Sequence, residues 1–131
     1  GDGWTALHLA GFFAKRDAVE VLLARGASVS AVSGTADKNQ PLQASLSGPC
    51  DPAIVKSLVA HGADVNHQGA SGITPLHSAA IRGNEELVRF LVQSGAAANV
   101  KMQDGKTPAD LARSKGHLTV ADVLEELGKG R

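Results

Sequence analysis

GITPLHSAAIRGNEELVRFLVQSGAAAN, residues Gly72 to Asn99, decides how the rest of the chain is read. Thr74-Pro75 places a capping hydroxyl before a proline at the first helical position, a strong helix start. The short helix that follows should end near Gly83. Asn84 then caps a second helix, whose apolar residues fall at Leu87, Val88, Leu91 and Val92. Pairs spaced by four make one apolar stripe on a helix. Gly95 follows where a left-handed turn after a helix favours glycine. A single helix pair of this size cannot cover its own stripe, so it needs neighbours.

Those neighbours are in the sequence. GWTALHLA at Gly3–Ala10, NQPLQASL at Asn39–Leu46 and GKTPADLA at Gly105–Ala112 repeat the opening phrase. Thr5, Gln40, Thr74 and Thr107 occupy one slot in successive copies, at steps of 35, 34 and 33 residues. A second phrase trails the first three copies in step: RGASVS ending at Ser30, HGADVN ending at Asn66 and SGAAAN ending at Asn99. Asp51-Pro52 starts the second helix of the second copy, with Ile54, Val55, Leu58 and Val59 as its stripe. Gly26 and Gly62 match Gly95.

A period near 33 carrying T-P-L-H resembles the ankyrin repeat, and the resemblance covers the whole chain. It implies an all-α fold, an ankyrin-repeat solenoid of stacked helix-turn-helix units with β-hairpin or turn fingers. The domain is residues 1–131, with repeats at about 1–32, 33–68, 69–101 and 102–131. Two insertions fall in the second repeat. Ser33 to Lys38 runs two residues over the period and predicts a longer finger, and SGPCD at Ser47–Asp51 enlarges the inter-helix turn by one. Both are loop positions, where extra length costs little.

In the last repeat Asp110 replaces the histidine of the phrase, Arg113 replaces the small residue seen as Ala80, and Glu125 stands where Leu23, Val59 and Val92 stood. Polar replacements on a face with no following neighbour mark a capping repeat. The first repeat shows no such set and starts at Gly1 without its opening turn, so the expectation is a fragment cut from a longer array.

Composition narrows the function classes. Thirteen basic and thirteen acidic residues cancel, without the basic excess of a nucleic-acid-binding domain. The apolar runs are too short to span a bilayer, and no secretory signal is present. Cys50 is alone, so no intramolecular disulfide can form, which fits a reducing compartment; the expected location is cytoplasmic. Five histidines invite a metal reading, but no C-x-x-C pair or ligand spacing accompanies them, and Gln43 and Asp110 fill the slot of His8 and His77. Neither Ser45, Ser47, Ser71 nor Cys50 sits in a nucleophile motif, and the glycines at Gly1–Gly3 and Gly69–Gly72 lack the lysine of a phosphate loop. The expectation is a monomer that is not an enzyme, with no cofactor or metal.

The resemblance implies a protein–protein interaction module, a scaffold or adaptor, that holds a protein partner on its concave surface. An inhibitor acting by occlusion, or a targeting module of a larger enzyme or effector, are the alternatives. In this family that surface is made from finger tips and first helices. The slot after the finger glycine holds Trp4, Asn39, Ile73 and Lys106; the slot near the end of the first helix holds Phe12, Ser47, Ile81 and Ser114, beside Phe13, Gly48, Arg82 and Lys115. The candidate partner-binding residues are therefore Trp4, Phe12, Ile73, Ile81, Arg82, Lys106 and Lys115. Phe13 reads equally as surface or as the covered side of a first repeat. LVAHGADVN, Leu58–Asn66, resembles the ankyrin pattern hydroxylated on its asparagine; the plainer reading of Asn66 is that its side chain holds a turn.

Overall fold

The computed structural model describes residues 5–29, 40–47 and 50–129. Trp4, the long finger at 33–38, Asn39 and Gly48 lie outside the described residues. Eight α-helices occur among the rest, with no strand. The chain forms two compact units, Gly1–Asp64 and Val65–Arg131.

The first unit holds α1 (Ala6–Phe12), α2 (Arg16–Ala24), α3 (Pro41–Ser47) and α4 (Pro52–Ala60). The second holds α5 (Pro75–Arg82), α6 (Glu85–Gln93), α7 (Pro108–Ser114) and α8 (Leu118–Lys129), preceded by one 3-10 turn at Ala70–Gly72. The packing plan within each is the same. First helices lie side by side, α1 on α3 and α5 on α7, and second helices do likewise, α2 on α4 and α6 on α8. The stripes read from the sequence are the cores: Ile54, Val55 and Leu58 in one unit, Leu87, Val88, Leu91 and Val92 in the other are all buried.

Every first helix begins with the same hydrogen-bonded ring, closed by different chemistry. The Thr5 N–H donates to His8 Nδ1 at 3.2 Å and the Thr74 N–H to His77 Nδ1 at 3.1 Å. In the other two repeats the Gln40 N–H donates to Gln43 Oε1 and the Thr107 N–H to Asp110 Oδ2, both at 3.0 Å. The slot demands an acceptor three residues into the helix, not a histidine. Such caps satisfy amide groups the helix leaves open, each contributing about 1 kcal/mol.

A left-handed residue follows each first helix. Ala14, Cys50, Gly83 and Gly116 carry φ of 56°, 60°, 72° and 81°. Glycine adopts this left-handed turn freely, whereas a side chain costs roughly 1–2 kcal/mol there. The insertion in the second repeat places Cys50 at this turn, directly after Pro49, whose ring could not supply a positive φ. Gly26, Gly62 and Gly95, with φ of 86°, 96° and 107°, make the expected turns after the second helices. Their counterpart Gly128 does not, because α8 runs on for 12 residues and keeps it helical.

Arg113 on α7 and Glu125 on α8 form an ion pair, each side chain 43% exposed. In the first repeat, by contrast, Leu9 and Val21 are 47% and 52% exposed. Leu111 and Val123 occupy the same slots in the fourth repeat and are half-buried, since α7 and α8 pack on α5 and α6. Phe13 is 55% exposed, its ring edge-on to Phe12 at 5.1 Å.

Candidate functional site

The candidate residues sit where caps and turns put them. In the second unit, Ile73 immediately precedes the N-cap Thr74 and Lys106 immediately precedes Thr107. Ile81 and Arg82 close α5, and Lys115 is the C-cap of α7. Ile73 and Lys106 therefore share one slot and Arg82 and Lys115 another, whereas the counterpart of Ile81 is Ser114. The α5 corners are apolar and half-buried at Ile73 and Ile81; the α7 corners, Lys106 and Lys115, are exposed, as is Arg82. Phe12, half-buried at the end of α1, belongs to the first unit. Trp4 lies outside the described residues, so the structure places six of the seven candidates.

The finger tips that carry Ile73 and Lys106 are fixed by backbone. The Gly69 N–H donates to the Ile73 carbonyl at 2.8 Å, and the Met102 N–H to the Lys106 carbonyl at 2.9 Å. One tip is tied to the next where the Gln103 N–H donates to the Ser71 carbonyl at 2.9 Å. Ser71 and Gly72 turn with φ of 61° and 80°. Gly72 lies so close to the neighbouring tip that a Cβ there would sit 3.2 Å from the Gln103 nitrogen. His77 locks the same junction from beneath. Its Nδ1 accepts from Thr74, so its Nε2 carries the proton and donates to the Lys106 carbonyl at 3.1 Å. The ring is fully buried, and that burial holds its pKa below the usual 6.5.

Asn66 holds a junction of its own. Its Nδ2 donates to the Gly95 carbonyl at 3.0 Å, and its Oδ1 accepts from the Ala97 N–H at 2.9 Å. The plainer reading of this residue, a side chain bonded to turn backbone, is what the geometry shows.

Three cations are ion-paired: Arg16 with Asp51 at 2.8 Å, Arg89 with Glu85 at 2.9 Å, and Arg113 with Glu125. On the finger side Lys101, Lys106 and Lys115 have no ion-pair partner among the described residues. The nearby carboxylates serve backbone instead. Asp104 Oδ1 accepts from the Lys106 N–H, and Asp110 Oδ2 closes the α7 cap, which lowers the Asp110 pKa.

Among the described residues no three His, Cys, Asp or Glu side chains converge as metal ligands. No described helix is long and apolar enough to cross a membrane. Two open hollows, one of about 590 Å³ lined by Ala14–Ala18 and one of about 460 Å³ lined by Gly95, Ala97–Val100 and Gly128, lie apart from the candidate slots in sequence.

Comparison with known proteins agrees with the register. Residues 42–129 match the family described as ankyrin repeats (3 copies), and residues 2–34 match a single ankyrin repeat. The B-cell lymphoma 3 protein homolog of Mus musculus is 40% identical over 123 residues, 94% of this chain and 26% of that protein. The tyrosine-protein kinase Shark of Drosophila melanogaster is 34% identical over 125 residues, 94% of this chain and 13% of its own length. The potassium channel AKT1 of Arabidopsis thaliana is 37% identical over 73 residues, 56% of this chain and 8% of the channel. The chain thus spans about a quarter or less of these curated relatives.

Proposed function

The chain belongs to the ankyrin-repeat family, and from that premise we propose that it is a protein-binding module with no catalytic role of its own. The partner docks on the side formed by finger tips and first helices, against Trp4, Phe12, Ile73, Ile81, Arg82, Lys106 and Lys115. The observation that carries this reading is the pair of corners on α5. Ile73 and Ile81 keep part of their apolar surface in water, while the core of the same repeat is closed by Leu76, Leu87, Val88 and Leu91. Aromatic and aliphatic anchors of this kind are what a partner can desolvate.

The relatives support a module rather than a reaction. A kinase and a potassium channel share these repeats over a small part of their length. Function lives in the site and not in the fold. The module acts as a monomer, without cofactor, in a reducing compartment such as the cytoplasm, where the lone Cys50 stays a thiol.

The test is a partner isolated with the chain and measured against single substitutions. Trp4→Ala should weaken binding at least about thirtyfold, the effect of losing an anchor of about 2 kcal/mol. Ile81→Ala should weaken it in the same direction. Glu126→Ala, on the exposed side of α8, is the control and should be silent. A partner that binds the Trp4→Ala and Ile81→Ala variants as tightly as the parent chain sinks the proposal.

A further inference from the structure

We draw no further inference here: the strongest candidate, the exposed apolar face of α1 and α2 at Leu9, Phe13 and Val21 in the first repeat, carries nothing, because nothing in the structure shows what covers it.

Discussion

At the end of the first helices, the same left-handed backbone is asked of Ala14, Cys50, Gly83 and Gly116. Ala14→Gly should raise stability by roughly 0.5–1 kcal/mol, the left-handed penalty relieved less the entropy glycine adds to the unfolded chain. Urea unfolding measures it, and a loss of stability would show that Ala14 is not held there. The two glycines make a sharper comparison. A Cβ on Gly116 would meet nothing within 4 Å, but one on Gly83 would lie 2.5 Å from the His117 ring. Gly83→Ala should therefore cost more than Gly116→Ala, and the excess should vanish when His117 is also changed to Ala. The buried His77 offers a third residue-scale test. Its folded pKa lies below 6.5, so the unfolded chain takes up the proton first. Its contribution is complete above pH 6.5 and is lost as pH falls below that value through the folded pKa. His77→Gln keeps an acceptor for Thr74, as Gln43 does for Gln40, and should flatten the decline in stability between about pH 7 and pH 5. Equal slopes in parent and variant would mean that His77 already titrates freely.

A helix pair here is stable only as part of its packed unit, so the apolar stripe is where an element is most vulnerable. Leu91→Ala, at a fully buried position of α6, should cost about 2–5 kcal/mol in denaturant unfolding. An unchanged midpoint would place that stripe outside the core. Elements of this kind were legible in the sequence because their signals are local. Thr-Pro pairs, Asp51, Asn84 and the glycines at 26, 62 and 95 each announce a start or stop, and the structure puts caps and turns there. What was not legible has equally physical causes. A left-handed turn is read from glycine, so its occurrence at Ala14 and Cys50 leaves no trace in composition. Gly128 gives the opposite error, a turn residue that stays helical, with the Asn99 amide packed so close that a Cβ would lie 2.6 Å from its oxygen. The candidate site was readable as register, since counting from Thr74 and Thr107 lands on the corners of α5 and α7. Which of its cations stay unmatched depends on contacts between elements, and register does not carry that.

For the molecule as a whole, the fourth repeat should behave as a cover for the third. Removing residues 103–131 strips α7 and α8 from α5 and α6, and should lower both solubility and the unfolding midpoint. A truncated chain as soluble and as stable as the parent would refute the capping role. The pair that closes this repeat, Arg113 with Glu125, adds little to stability, because ion pairs this exposed contribute about 0–1 kcal/mol. Its larger effect is on polymerisation. Growth of a fibre by end-on stacking needs each molecule to offer both halves of a heterologous contact, a face that accepts and a face that inserts. Leu9 and Val21 supply an apolar half on the first repeat. On the last repeat the equivalent of the Val92 slot is Glu125, ion-paired with Arg113, so a second copy stacking there would have to bury both charges. The slots that decide whether one such repeat can stack on another are thus two residues wide, and in the fourth repeat both carry charge.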